Sequence, residues 1–225
     1  AEDPVELVAT CVREKLSSRG RIGSDLKAYA FPGDYALRLN EMLAPFKVDD
    51  FSKDLDSIRL VKSEQEMSYI NTAAGYATIG LERAYEIIRP GITEIQVAGE
   101  IEYAMRKAGT EYPAMPVWVS TGSRRIGHKT PDHRVIETGD NVSMEFAGVH
   151  RRYHAVTMQT MVVGSPYSTF KDSYNIALRS LRAGQKVIQA GIPVSNAEQA
   201  VVTSLVKDGF DPSVRARFGY GVGIG

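Results

Sequence analysis

The chain has 225 residues and equal numbers of basic and acidic side chains, 27 each, so its formal net charge is zero. Zero net charge provides no long-range field toward nucleic acid or an anionic membrane, and no apolar run approaches the roughly 20 residues of a membrane span. The hydrophobic content of 43% suffices for a folded core; one cysteine, Cys11, cannot form an internal disulfide and, with no signal-peptide pattern at the start, suits a reducing cytoplasm.

In chain order, "PVELVATCVREKL" has helical spacing, "RIGSD" is a short strand and "PGDYALRLNEML" a second helix. These elements make residues 1–56 part of a small α/β layer. The mixed polarity of Phe46 to Leu60 predicts a connection, and residues 57–225 form the second domain. A helix start follows at "SEQE", where Ser63 and Glu66 have the spacing of a capping box. The apolar stripe from Met67 to Ile88 predicts a helix of more than about 25 residues, stopped by Pro90 and Gly91.

Two segments then echo each other: "EIIRPGITEIQVAGEIEYAMRKAG" and "KVIQAGIPVSNAEQAVVTSLVKDG". Gly91 matches Gly191, Ile92 matches Ile192, and Gly109 matches Gly209 at one offset. Thr93 with Gln96, and Ser195 with Glu198, predict capping boxes; Gly109 and Gly209 stand where left-handed helix ends are expected. Between the copies, "MPVWVSTG", "NVSMEF" and "YHAVTMQTMVVG" read as strands. Helices flanking strands in this order predict an α+β arrangement, a curved antiparallel sheet backed by helices.

Within the strands, alternation puts Val142, Met144 and Phe146 on one face and Ser143 with Glu145 on the other. Glu145 is either a reactive carboxylate or a strand glutamate paired with Arg151 or Arg152 in the basic turn. His154 shares a face with Val156 and Met158, as a pocket residue or as a rim histidine bonded to main chain. His128, in the polar string "IGHKTP", is either an acid–base or a loop histidine capping the backbone. Trp118 and Tyr112 line a pocket or belong to the core, and His133 and His150 are expected in solvent. The run "GYGVGIG" lacks the Lys-Ser/Thr ending of a phosphate loop.

The strings "RLVKSEQEM", "RPGITEIQVAGEI", "YPAMPVWVSTG", "GHKTP", "TGDNVSMEFAG" and "RRYHAVTMQT" follow one another in order. As a set they resemble the creatinase, prolidase and methionine aminopeptidase family, over nearly the whole chain and most securely over 57–225. The resemblance implies the "pita-bread" fold of two pseudo-symmetric halves, here preceded by part of an N-terminal domain. In the family, further strands carrying two acidic residues follow the position where this sequence stops. The glycine-rich run would be a strand passing close to the site.

Metal-dependent members place aspartates at the positions of Glu145 and Val156, and a histidine at that of Tyr220. Valine has no donor atom and a phenol is a poor substitute for imidazole, so no metal and no cofactor are expected. Creatinase and the ectoine hydrolase branch work without a catalytic metal, and the resemblance to them implies His128 and Glu145 as catalytic residues. His154, Tyr220 and Trp118 would bind the substrate. The implied activity is metal-independent hydrolysis of a C–N bond in a small nitrogen-rich molecule, either an ectoine-like cyclic amidine or a creatine-like compound. A metal-dependent Xaa-Pro dipeptidase and a non-enzymatic binding module remain as alternatives. The expected partners are a small-molecule substrate and a second copy of the chain, in a homodimer whose neighbouring N-terminal domain completes the pocket.

Overall fold

The computed structural model describes residues 3–16, 20–122, 128–214 and 219–224. It divides into two compact units, Ala1–Ser63 and Glu64–Gly225. The first contains helix α1 (Pro4–Lys15), strand β1 (Arg21–Ser24), helix α2 (Gly33–Met42), strand β2 (Lys47–Asp50) and helix α3 (Ser52–Leu60). Asp3 starts α1 by accepting from the Val5 amide at 2.8 Å, with Pro4 at the first helical position, where its missing N–H leaves no donor unmet. Val5 and Ala9 of α1 pack on Leu39 and Leu43 to make this unit's core.

The segment expected as a connection, 46–60, is instead a strand and a helix. β2 pairs in parallel with β1, Ile22 beside Val48, while Phe46 and Val48 pack on the core. Asp50 then accepts from the Ser52 amide at 3.0 Å, which opens α3. Four residues ending in two aspartates are too few to display a period, so only the pairing with β1 reveals the strand. α3 straddles residue 56 and belongs whole to the first unit.

The second unit begins with α4 (Glu64–Ile87), whose 24 residues are slightly fewer than expected because it ends before Pro90. α5 (Glu94–Ala108) follows, then strands β3 (Trp118–Thr121), β4 (Asn141–His150) and β5 (Tyr153–Val162), and helices α6 (Ser168–Gln185) and α7 (Val194–Lys207). The three strands form an antiparallel sheet in the order β3-β4-β5.

α4 buries Ala73, Ala77, Gly80, Ala84 and Ile87, a stripe spaced three and four residues apart. Small side chains let the helix backbone lie directly on β4. A Cβ at Gly148 would stand 2.0 Å from the Ala73 carbonyl oxygen and 2.7 Å from the Ala77 nitrogen. On the covered face Val142, Met144 and Phe146 pack with Val97, Ile101 and Met105 of α5. Full burial of side chains of this size stabilises the fold by about 1.5–3 kcal/mol each.

The two echoed segments form equivalent helix–turn–helix units, and Gly91, Gly191, Gly109 and Gly209 all have positive φ. The capping box of Thr93 and Gln96 is present in both directions. The box expected at Ser195 and Glu198 is not the start of α7: Pro193 holds the cap position, with no side-chain cap, and Ser195 lies inside the first turn. Proline's fixed φ starts the helix two residues early. Among the described residues no helix is long and apolar enough to cross a membrane.

β4 and β5 are joined through Arg151 and Arg152, both in the left-handed region (φ 51° and 65°). A two-residue hairpin demands this conformation and usually meets it with Asn-Gly. Here the strain is offset by Glu111, whose carboxylate accepts from the Arg151 amide at 2.7 Å and the Arg152 amide at 3.1 Å. The Arg152 guanidinium donates to the Tyr112 carbonyl at 2.6 Å and lies over the Tyr112 ring at 4.1 Å. His154 completes the clamp: its Nε2 accepts from the Ala114 amide at 3.0 Å, which leaves Nδ1–H to donate to the Arg152 carbonyl at 2.9 Å. Burial pushes the His154 imidazole below its ordinary pKa, against the opposing pull of the Arg152 carbonyl.

Gly148→Ala is expected to destabilise the second unit by about 1–3 kcal/mol or more in urea denaturation, because helix backbone stands where the methyl must go. Gly80→Ala should cost less, since its added methyl meets side-chain atoms, Met105 Cγ and Phe146 Cε2 at 2.9 Å, in place of backbone. For His154, the unfolded chain takes up a proton as pH falls below about 6.5 while the folded chain resists, so this contribution to stability is present above that pH and lost below it. The stability gap between the wild type and His154→Gln, which cannot titrate, is therefore expected to narrow between pH 8 and pH 5.

Candidate active site

The face of the sheet opposite α4 carries the candidate chemistry. β3 pairs Trp118 with Glu145, and β5 pairs Met158 with Glu145, so these three side chains form one row. The next row holds Ser143 and Thr160, with hydroxyl oxygens 3.3 Å apart. On the other side Val156 pairs with Ala147, which makes Val156 a diagonal neighbour of Glu145 on the same face. Val156 is 37% exposed and Met158 52%, an apolar border to a single carboxylate.

His128 reaches this row from the loop between β3 and β4. Its ring stacks on the Trp118 indole, centroids 4.1 Å apart and planes 14° apart. Its Nε2 stands 3.3 Å from Glu145 Oε2. The Glu145 side chain is largely enclosed while His128 is open to solvent. The structure thus brings together His128, Glu145 and Trp118. A carboxylate within reach of an imidazole orients the ring, the arrangement a proton-transferring pair needs. Ile126 and Gly127 of the "IGHKTP" string lie outside the described residues.

The loop's returning segment is welded to the first turn of α5. The free amides of that turn are all accounted for: Glu94 N donates to Arg134 O, Ile95 N to Asp132 O, and Gln96 N to the Thr93 hydroxyl. The Ile136 amide donates to Ile92 O, and the Gly91 amide to Ile136 O. Glu94, wholly buried, turns its carboxylate the other way. Oε1 accepts from the Thr121 amide at 2.8 Å and the Thr121 hydroxyl at 2.7 Å, and Oε2 from the Asp132 amide at 3.1 Å. Arg134 adds a two-pronged pair with Asp140, whose carboxyl it holds below the usual range.

Other expected residues are placed differently. His154, expected in the substrate pocket, lies two rows from Glu145, opposite Val149, with both ring nitrogens bonded to main chain as described above. It is a strut of the hairpin. Arg151 and Arg152 are held by Glu111, not by Glu145. His150, expected in solvent, packs edgewise against Tyr69 and near Tyr76, and Tyr112 serves the hairpin clamp. His133 is exposed, as expected. Tyr220 is half-exposed, in a segment tied to the start of β5 by the His154 amide to Gly223 O bond (2.9 Å) and by a bridge between Tyr153 and Ile224. The glycine-rich run makes that bridge in place of a regular strand. The Ser143–Thr160 pair and the buried Glu94 are not among the site residues that the sequence points to. Strand parity carried a signal for the first pair; nothing local marks Glu94 as buried, because its partners are 27 and 38 residues away.

Around Glu145 the described residues do not fit a two-metal centre. One carboxylate and one imidazole face a valine and a thioether, and two cations need several bridging anionic ligands. Among the described residues, no group of three or more His, Cys, Asp or Glu side chains is placed to hold a metal.

Comparison with known proteins agrees with this architecture. The family model described as metallopeptidase family M24 matches residues 68–225. The chain is 30% identical over 179 residues to an Xaa-Pro dipeptidase of Pyrococcus horikoshii, covering 79% of this chain and 50% of that protein. It is 27% identical over 229 residues to an ectoine hydrolase of Halomonas elongata, covering 97% and 57% respectively. The chain therefore spans about half the length of these curated relatives. An Xaa-Pro dipeptidase structure from Bacillus anthracis superposes with a TM-score of 0.80 at 27% identity, over 93% of this chain and 58% of that one. The antiparallel sheet backed by α4 and α5, the ordered strings and the match across most of the sequence lead to one assignment: this chain belongs to metallopeptidase family M24, with its α+β pita-bread fold.

Proposed function

We propose that Glu145 and His128 form a metal-independent hydrolytic pair acting on a C–N bond of a small nitrogen-rich molecule, an ectoine-like cyclic amidine or a creatine-like compound. The observation that carries this reading is the 3.3 Å approach of His128 Nε2 to Glu145 Oε2, with Val156 as the diagonal neighbour. A carboxylate whose partner is an imidazole, and whose neighbours are hydrocarbon and thioether, suits a cationic or amidine-like group. His128 carries a proton to the departing nitrogen. Glu145 either takes a proton from the attacking water or attacks the electrophilic carbon itself, and in that case water then cleaves the covalent intermediate and frees the carboxylate. Trp118 backs the imidazole and keeps it turned toward Glu145.

A metal-dependent Xaa-Pro dipeptidase is the second reading, favoured by the name of the relative from Pyrococcus horikoshii. The hydrocarbon at Val156 and the phenol at Tyr220 weigh against it. A binding module without activity is the third, and the pairing of His128 with Glu145 weighs against that one.

Two measurements on the full-length protein separate the readings. Elemental analysis after mild purification is expected to find less than one zinc, manganese, cobalt or iron per chain, and added divalent metal should not create cleavage of an Xaa-Pro dipeptide. One or two tightly held ions, with dipeptide cleavage abolished by a chelator, would favour the second reading. In assays with ectoine and creatine, Glu145→Gln and His128→Ala are each expected to lower kcat by about 10²–10⁴-fold, while His133→Ala stays near wild type. Wild-type turnover by His128→Ala would remove it from the mechanism.

A further inference from the structure

We propose that Glu94, outside the catalytic pair, is the positioning residue that sets where His128 stands. The inference rests on the reading above only in taking His128 as the residue that needs positioning; the geometry is independent of any reaction.

Glu94 is a carboxylate with no exposure at all. Burying one is costly unless its oxygens are matched with donors, and the matched donors show what it holds. Oε1 takes the amide and the hydroxyl of Thr121, the last residue of β3. Oε2 takes the amide of Asp132, on the far side of the loop. One side chain therefore fastens both ends of the segment from 121 to 132, and His128 lies between the two fastenings. The Glu94 and Ile95 amides grip the same returning segment through Arg134 O and Asp132 O. Arg134 ties it again to the Thr121 hydroxyl and to Asp140. His128 itself is largely exposed, and among the described residues it stacks on Trp118 and approaches Glu145. A side chain so lightly enclosed depends on its backbone for position, and Glu94 anchors that backbone at Asp132, four residues after His128.

The division of labour between the two carboxylate oxygens makes the idea sharp. In Glu94→Gln the amide oxygen still serves Thr121, but the NH2 group then faces the Asp132 N–H, donor against donor. One end of the loop stays fastened and the other is released. Thr121→Val weakens the opposite end by removing the hydroxyl while leaving its amide bond intact.

The test uses the chain's single tryptophan, Trp118, which is the residue His128 stacks on. An imidazole stacked on indole perturbs its fluorescence, so Trp118 emission and its quenching by acrylamide at one fixed pH read the stack without a substrate. The wild type is expected to differ in both from His128→Gln, a difference that His133→Gln does not produce. In Glu94→Gln, measured well below its melting temperature, the His128-dependent difference is expected to fall by at least half; Thr121→Val should reduce it in the same direction. A purely structural Glu94 would lower the melting temperature of both variants and leave that difference unchanged, which would overturn the proposal. Wild-type emission equal to that of His128→Gln would overturn it too. Because no turnover is measured, loss of the hydrolase reading leaves this result standing, and failure here leaves that reading untouched.

Discussion

The contact between the backbone of α4 and Gly148 of β4 is the constraint on which the second unit depends. Only a helix with a stripe of small residues, Ala73, Ala77, Gly80 and Ala84, lies this close to a strand. Once it does, one face of the sheet is sealed, and the period of two sends Val142, Met144 and Phe146 beneath the helix. Glu145 has to face outward. A register slip of one residue would put its carboxylate under α4 and bring the apolar set to solvent, so the packing of the covered face also fixes the open one.

Register alone produces a row, not a site. The hairpin clamp of Glu111, Tyr112 and His154 holds Arg151 and Arg152 in the left-handed conformation, and so fixes which residue of β5 meets Glu145. Glu94 acts on the other side, where β3 ends and the loop carrying His128 returns. The two glutamates make an instructive contrast. Glu94 is wholly buried with several donors matched to its two oxygens; Glu145 keeps an open edge and an imidazole partner. A fully satisfied carboxylate anchors, and a sparsely partnered one on the open face of the sheet is available to react.

Legibility varied with how local each signal was. The cap at Thr93 forms because threonine and glutamine alone are needed to build it. The same spacing at Ser195 and Glu198 is overridden by Pro193, two residues earlier, whose ring sets the helix start. β2 and α3 were hidden because a four-residue strand shows itself only through its partner, β1. His150 looked solvated beside two arginines, yet the turn sends it back toward Tyr69 on α4.

What the sequence by itself determined was parity, helix faces and side-chain chemistry: Glu145 opposite in direction to Met144 and Phe146, a valine at 156, a tyrosine at 220, and the ordered strings that mark family M24. These are properties of single residues and of the fixed periods of strand and helix. Tertiary structure decided which groups meet: His128 with Trp118 and Glu145, His154 with Ala114, and Glu94 with Thr121 and Asp132. Most of these pairings join residues on different elements, well separated in the chain and carrying no periodic signature. Hydrogen bonding and stacking depend on ångström-scale distances, and those distances arise only when the chain closes on itself.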